Sequence, residues 1–156
     1  DRVLDVGCGS SRIIMGLPRA VGVDIQLKKL RRVQRTARRL VQATLTRLPF
    51  ASASFDAVIC SQVIEHVTPD LVDWSEFARV LVPGGHCSVG TPDSSALTWR
   101  VLEWAYMRVH PDGYSTEHVN QYTAARLRQE LEAAGFEVTG QAYVGGGELI
   151  VRARKR

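Results

Sequence analysis

The sequence predicts an α/β protein built around a mainly parallel sheet, and two observations carry this prediction. Short apolar runs, typical of buried strands, alternate along the chain with segments whose apolar residues recur at helical spacing. Gly, Pro or polar residues separate most of these segments. Because a helix between two strands returns the chain to the same end of a sheet, this alternation favours parallel strands covered on both faces. A chain of 156 residues has the size of one domain, so we expect residues 1–156 to fold as a unit.

The first half of the chain is predicted to contain four strands and two helices. The strand-forming runs are residues 3–6, 20–23, 40–44 and 55–60. A brief helix over residues 12–17 is expected to end at Pro18, because proline cannot continue a helix. A basic helix follows Asp24, where apolar residues between Leu27 and Leu40 recur at helical spacing.

The second half is predicted to hold two helices and three strands. They are helices over 70–81 and 123–134, and strands over 86–90, 136–144 and 148–153. Pro69 suits the first turn of a helix, and the Pro83-Gly84-Gly85 run is expected to end that helix. Gly135 ends the other helix. The last two strands flank three consecutive glycines, which predicts an antiparallel pair.

Composition excludes several classes of protein. Hydrophobic residues make up 45% and charged residues 23% of the chain, as in ordinary globular domains. No run approaches the roughly 18–20 apolar residues that a membrane-spanning helix needs, and the charged start lacks the apolar core of a signal peptide. Three cysteines without a C-x-x-C pair argue against a disulfide framework, and the histidines lack partners at metal-ligand spacing. We expect a reduced, cytoplasmic protein without a metal. We also expect the protein to have an N-terminal helical segment that the present sequence lacks, because the sequence opens directly on the first strand.

The net charge of +4 is unevenly distributed. No acidic residue lies between Ile25 and Phe55. The basic residues of this stretch are Lys28, Lys29, Arg31, Arg32, Arg35, Arg38, Arg39 and Arg47. We interpret them as a solvated face, with peripheral contact to an anionic membrane surface as the alternative. Nucleic-acid binding is not predicted, because no aromatic residue lies between Arg19 and Phe50 to stack on bases.

A glycine turn and an acidic strand end predict a nucleoside ligand. Gly7 and Gly9 follow the first strand, where glycines let the backbone approach a ligand closely. Asp24 ends the second strand, where a carboxylate can accept hydrogen bonds from ribose hydroxyls. A dinucleotide fingerprint, G-x-G-x-x-G, would need a glycine at the position of Arg12. A NAD-dependent oxidoreductase is therefore a disfavoured alternative.

Five motifs follow one another in a fixed order. They are Val3-Leu4-Asp5-Val6-Gly7-Cys8-Gly9; Val21-Gly22-Val23-Asp24; Leu48-Pro49-Phe50 with Ser54-Phe55-Asp56-Ala57-Val58; Val63-Ile64-Glu65-His66-Val67; and Arg79-Val80-Leu81-Val82-Pro83-Gly84-Gly85. Together they resemble class I S-adenosylmethionine-dependent methyltransferases, in the methyltransferase type 11 branch that contains quinone-biosynthesis enzymes. The resemblance implies a Rossmann-like sheet of seven mainly parallel strands, with helices on both faces and a C-terminal antiparallel pair. It also implies S-adenosylmethionine as the cofactor.

The resemblance further implies a cofactor site at the carboxyl ends of the strands. Its residues would be Asp5, Gly7, Cys8, Gly9, Asp24, Ile25, Thr44, Leu45, Ser61 and Gln62. Asp5 would order the glycine turn, Asp24 would bind the ribose hydroxyls, and Ser61 and Gln62 would reach the methionine end. Thr44 stands where the family often has an acidic residue that holds the adenine amino group, so weaker cofactor affinity is expected.

Candidate catalytic and acceptor-binding residues lie in two regions. An oxygen nucleophile has to lose a proton, and histidine suits this role at neutral pH. His66 and His118 are the candidates, and the alternative is that each only stabilises its loop. Residues 91–121 form too long a stretch for a plain connection, so we expect a substrate-covering insertion there. Its aromatic side chains are Trp99, Trp104, Tyr106 and Tyr114, for which extra core packing is the alternative.

The sequence therefore predicts a methyltransferase that moves a methyl group to oxygen or carbon of a small, apolar or lipid-linked acceptor. Two alternatives from other classes stay open at this point. One is a non-catalytic cofactor-binding module that docks through its basic face to an anionic partner. The other is the NAD-dependent oxidoreductase that Arg12 disfavours. The oligomeric state does not follow from the sequence.

Overall fold

The computed structural model describes residues 1–9, 13, 16–34, 39–109 and 119–156. Within these ranges the strands are β1 (Val3–Val6), β2 (Ala20–Asp24), β3 (Leu40–Gln42), β4 (Phe55–Ser61), β5 (Leu81–Pro92), β6 (Phe136–Val144) and β7 (Glu148–Lys155). The α-helices are α1 (Leu27–Val33), α2 (Trp74–Val80), α3 (Leu97–Val109) and α4 (Ala124–Ala133). Two short 3-10 turns, Ile64–His66 and Pro69–Leu71, lie between β4 and α2.

The seven described strands form one sheet in the order β3-β2-β1-β4-β5-β7-β6. The first five strands of this order pair in parallel. β7 pairs antiparallel with both β5 and β6. The predicted mainly parallel sheet with a C-terminal antiparallel pair is confirmed.

The strand order reverses between β1 and β4. From β1 the chain moves outward through β2 to β3, whereas from β4 it moves the opposite way to β5. Since crossover connections between parallel strands are right-handed, α1 and α2 cover opposite faces of the sheet. In open α/β sheets a crevice forms at such a reversal, outside the carboxyl ends of the strands. The fold therefore places a ligand site above β1 and β4.

The core lies between one face of the sheet and helices α2 and α4. Phe77 of α2 and Leu127 of α4 are fully buried, as are Cys60 and Val89 of the central strands. The other two cysteines, Cys8 and Cys87, are also buried, and all three are free thiols. Burial raises the pKa of the Cys8 and Cys87 thiols to about 12, so these groups stay protonated and pack as small apolar side chains.

The helix predicted over residues 70–81 is wrong at its start. Pro69–Leu71 is a separate 3-10 turn, and α2 begins only at Trp74. The boundary is set by Asp73, whose carboxylate accepts a hydrogen bond of 2.9 Å from the Ser75 N–H and so caps the helix. Proline fits the first turn of a 3-10 helix as well as that of an α-helix, so Pro69 could not distinguish the two.

The Pro83-Gly84-Gly85 run does not end a helix but bulges within β5. α2 already ends at Val80, and β5 begins at Leu81. Along β4, Phe55 pairs with Leu81 while Ala57 pairs with His86, so the extra residues of β5 loop out between these pairs. Gly84, with a φ of +75°, supplies the left-handed backbone that this excursion requires.

The remaining boundaries agree with the predictions except for small shifts. β7 runs on to Lys155, and α4 begins at Ala124, where the Thr123 hydroxyl accepts from the Arg126 N–H. Most of the brief helix predicted over residues 12–17 lies outside the described residues, as do residues 35–38 of the basic helix. None of the helices in the described part of the chain is long and apolar enough to span a bilayer.

Candidate functional site

A cleft of about 850 Å³ opens at the carboxyl ends of β1, β2 and β4, where the strand order reverses. The predicted site residues that line it are Gly7, Asp24, Ile25, Thr44, Leu45, Gln62 and His66. Sequence reasoning missed other residues of the wall: Gln26, Lys29, Thr46, Val63, Val67, Thr68 and Leu71. Among the described residues that line this cleft, Asp24 alone carries a carboxylate.

The turn after β1 forms the floor of the cleft and requires glycine. The Gly7 and Cys8 N–H groups donate to the Val23 carbonyl, over 2.7 and 2.9 Å, and thereby fix the turn to the end of β2. Gly7 has a φ of +73°, and a Cβ added there would lie 2.2 Å from Val63 Cγ2. The backbone at Gly7 and the Val63 side chain, in the segment after β4, thus approach so closely that no side chain at position 7 fits between them.

Asp24 is held in place for a ligand by backbone donors. The Asp24 residue is only 7% exposed. Oδ2 accepts from the Gly9 N–H over 2.8 Å, and Oδ1 accepts from the Gln26 N–H over 2.7 Å. Since each carboxylate oxygen can accept two hydrogen bonds, both oxygens retain a lone pair for the two hydroxyls of a ribose.

Asp5 lies beneath the glycine turn rather than in the wall of the cleft. It is 2% exposed, and its Oδ2 has no hydrogen-bond partner among the described residues. Burial raises the pKa of the Asp5 carboxyl to about 7, with a further contribution from the charge of Asp24. Asp5 Oδ2 is therefore a buried oxygen that the described residues leave without a hydrogen bond.

The wall beyond Asp24 offers an apolar and uncharged polar surface. Ile25 is 62% exposed at the end of β2, and Leu45 faces the same cleft from the segment after β3. The Thr44 hydroxyl is hydrogen-bonded to that of Thr46 over 2.9 Å. Two apolar side chains with a hydroxyl between them suit an aromatic base, which needs contact area and few polar partners.

The segment after β4 forms the opposite wall. Gln62 lies in the left-handed region, with a φ of +57°, and its N–H donates to the Gly90 carbonyl over 2.9 Å. A residue other than glycine pays about 1–2 kcal/mol for this backbone conformation. Such strain is concentrated at functional sites, where it aims a side chain that regular backbone could not. Ser61, the preceding residue, is half-buried and does not line the cleft.

A buried polar network holds the turn that carries His66. The Asn120 N–H donates to the Glu65 carbonyl over 3.1 Å. The Asn120 side chain in turn accepts from Arg126 over 2.9 Å. Glu130 accepts from Arg126 and, over 2.8 Å, from the indole N–H of Trp74. The network links the His66 turn to α2 and α4, which fixes one wall of the cleft to the core.

The structure does not bring the three described aromatic residues of the predicted set to the cleft. Trp99 is half-buried against Gly147, in the turn between β6 and β7. Trp104 is 56% exposed beneath the Arg108 guanidinium, which lies 4.5 Å from its ring, and Tyr106 is also exposed. Tyr114 and His118 lie outside the described residues. In the described part of the chain no group of His, Cys, Asp and Glu is arranged to hold a metal ion.

These features define the class of the protein. An open parallel sheet whose central crevice carries a glycine turn after β1 and an acidic residue at the end of β2 is a nucleoside-binding, Rossmann-like domain. The family described as methyltransferase domain matches residues 4–89. The chain belongs to the class I S-adenosylmethionine-dependent methyltransferases. The cofactor of this family is S-adenosylmethionine, and the glycine turn, Asp24 and the apolar wall fit its adenosine part.

Individual proteins show the same likeness. A Mycolicibacterium smegmatis protein named "Probable S-adenosylmethionine-dependent methyltransferase" is 33% identical over 97% of this chain and 59% of its own length. A demethylmenaquinone methyltransferase of Mycobacterium sp. (strain KMS) is 28% identical over 98% of this chain and 75% of its own. The crystal structure of a SAM-dependent methyltransferase from Thermotoga maritima superposes with a TM-score of 0.82 at 20% identity, covering 99% of this chain and 82% of that one. The chain thus spans about three fifths of the first of these relatives.

Proposed function

We propose that this domain transfers the methyl group of S-adenosylmethionine to oxygen or carbon of a small, apolar or lipid-linked acceptor in the cytoplasm. The observation that carries the proposal is the cleft at the strand reversal, with Asp24 held by two backbone N–H groups beside the Gly7 turn. The bound cofactor supplies an electrophilic methyl group, so the protein has to position the two partners and exclude water.

Each wall of the cleft has its own part in this proposal. Asp24 binds the ribose hydroxyls, while Ile25, Thr44 and Leu45 enclose the adenine. The Gly7-Cys8-Gly9 turn lets the backbone follow the ligand, and Asp5 orders this turn. Gln62 lines the methionine end of the cleft on the side of β4, and Ser61 lies directly before it in the chain.

Helix α3 supports an apolar or lipid-linked acceptor. Leu97, Val101 and Trp104 are 74%, 55% and 56% exposed, and the charged head of Arg108 lies over Trp104. Exposed apolar and aromatic side chains next to arginine suit an apolar ligand or the surface of an anionic bilayer. We propose that residues 91–121 cover the acceptor, with α3 as the described part. The Mycobacterium relative is named for demethylmenaquinone, and an acceptor of that apolar class suits this helix.

Methyl transfer from tritium-labelled S-adenosylmethionine tests the proposal. A panel of a demethylated naphthoquinol, a simple phenol, a fatty acid and a blank is expected to give label in the naphthoquinol or the phenol. Replacing His66 with Gln is expected to lower kcat about 100-fold if His66 moves a proton, whereas His86→Gln, an exposed change in β5, leaves kcat unchanged. Cofactor binding without label in any acceptor would contradict the proposal and favour a non-catalytic module.

A further inference from the structure

A hydroxyl and a carboxylate lie together beside the cleft, on the side of β5 and β7. Ser61 at the end of β4 pairs in register with Gly90 of β5. A Cβ added to Gly90 would lie 2.8 Å from Ser61 Oγ and 3.5 Å from Glu148 Oε1. The two side-chain oxygens therefore lie on the same side of β5 over Gly90, and the Ser61 hydroxyl occupies the space that a side chain at residue 90 would fill.

This space adjoins the methionine end of the cleft. Gln62 and Val63, the residues after Ser61, line the cleft itself. In the sheet, β5 and β7 follow β4 on the side away from β2, which carries Asp24. A ligand that binds through its ribose at Asp24 and extends across β4 to Ser61 therefore points its other end toward Glu148.

The carboxyl groups on this side of the cleft are only partly satisfied by the described part of the chain, where the Thr91 hydroxyl donates to Glu65 Oε2 over 3.2 Å. Glu148 is half-buried, and no described residue forms a hydrogen bond or ion pair with its carboxylate. Glu65 is 2% exposed, and its Oε1 has no hydrogen-bond partner among the described residues. Burial raises the pKa of the Glu65 carboxyl, and the charge of Glu148 raises it further, whereas the charge of His66 and the hydrogen bond from Thr91 lower it. Buried polar atoms without a partner are rare, so Glu65 Oε1 needs a bound water or a ligand as its partner.

We propose that Ser61 and Glu148 form the acceptor subsite, and that it takes an acceptor whose attacking group is a hydroxyl, bound through a hydrogen bond to Glu148 Oε1. This inference rests on the proposed function and narrows its substrate class. As the oxygen–methyl bond forms and the methyl–sulfur bond breaks, the sulfur keeps the electron pair and the hydroxyl proton passes to the Glu148 carboxylate, which then acts as the base in place of His66. A carboxylate suits this role because it only accepts hydrogen bonds, and a positioned base of this kind contributes about 100-fold or more.

Sinefungin probes this subsite without a known acceptor. This analogue of S-adenosylmethionine carries a primary ammonium where the cofactor has its methyl group, so its affinity relative to S-adenosylhomocysteine reports a carboxylate at the transfer point. We expect the wild type to bind sinefungin more tightly than S-adenosylhomocysteine in calorimetry. In Glu148→Gln the sinefungin affinity is expected to fall at least about tenfold, while the S-adenosylhomocysteine affinity stays within about twofold.

Glu137→Gln is the matched control. It removes the same charge from the same hairpin, where Glu137 is exposed and paired with Arg154 over 2.7 Å. The ratio of sinefungin affinity to S-adenosylhomocysteine affinity should therefore equal that of the wild type. Thermal melts establish that each variant is folded. A Glu148→Gln variant that keeps the sinefungin preference, or a wild type without one, would overturn the subsite alone. A wild type that binds neither ligand would instead overturn the cofactor site on which the subsite depends.

Discussion

Replacing Gly7 with alanine is expected to lower the free energy of unfolding by about 2–5 kcal/mol. The left-handed backbone at this position, with a φ of +73°, costs a residue with a Cβ about 1–2 kcal/mol. The new methyl group would also lie 2.2 Å from Val63 Cγ2, and such overpacking adds about 1–3 kcal/mol. Urea denaturation measures the change. Because the displaced turn forms the floor of the cleft, binding of S-adenosylhomocysteine should be lost with it.

Gly84→Ala separates the two causes. Gly84 has nearly the same backbone conformation, with a φ of +75°, but no atom lies within 4 Å of an added Cβ. This variant should lose only the backbone cost of about 1–2 kcal/mol and bind S-adenosylhomocysteine like the wild type. Equal destabilisation of the two variants would show that Val63 does not restrict the glycine turn.

Replacing Asp5 with asparagine is expected to stabilise the ligand-free protein above neutral pH. The pKa of the Asp5 carboxyl rises from 3.8 in the unfolded chain to about 7 in the folded protein. Between these values the folded state binds the proton more tightly, so its stability falls as the pH rises. Since one pKa unit corresponds to about 1.4 kcal/mol, the wild type should lose about 2–3 kcal/mol between pH 5 and pH 8 through this group.

The measurement is the difference in unfolding free energy between Asp5→Asn and the wild type at the two pH values. That difference should move in favour of the variant as the pH rises, since asparagine does not titrate. Asp70→Asn, at an exposed position in the turn before α2, is the control and should show no such trend. A difference that is independent of pH would mean that Asp5 is ionised in the folded protein at neutral pH, as it is in the unfolded chain.

Much of the fold could be predicted because the information is local. The apolar runs of β1, β2 and β4 and the turn residues between them specify buried strands without reference to the rest of the chain. The predictions from sequence are wrong where one sequence signal is compatible with two different local structures. Pro69 starts a 3-10 turn rather than α2, and the glycines at 84 and 85 form a bulge within β5 rather than a helix end. Strand register and the Asp73 cap decide these cases, and neither is visible in periodicity.

The candidate site divides in the same way. Gly7 and Asp24 end consecutive strands, so sequence order alone places them together at one edge of the sheet. Glu148 and Ser61 both lie near Gly90 only because β7 inserts between β5 and β6 in the sheet. Its position directly after three glycines indicates a hairpin and gives no sign of a site. The Asn120–Arg126–Glu130 network was missed for a similar reason, since it joins α4 to a turn far away in the chain.

Titration calorimetry with S-adenosylhomocysteine, on the wild type and on Asp24→Ala, tests the cofactor site most directly. Asp73→Ala is the matched control, because Asp73 accepts from the backbone N–H two residues ahead, as Asp24 does, but at the start of α2. We predict micromolar binding by the wild type and by Asp73→Ala. Asp24→Ala is expected to bind at least about tenfold more weakly, a loss of about 1.4 kcal/mol in binding free energy. None of the three proteins is expected to bind NAD. Equal affinity of Asp24→Ala and the wild type, or a preference for NAD, would contradict the assignment of this cleft to S-adenosylmethionine.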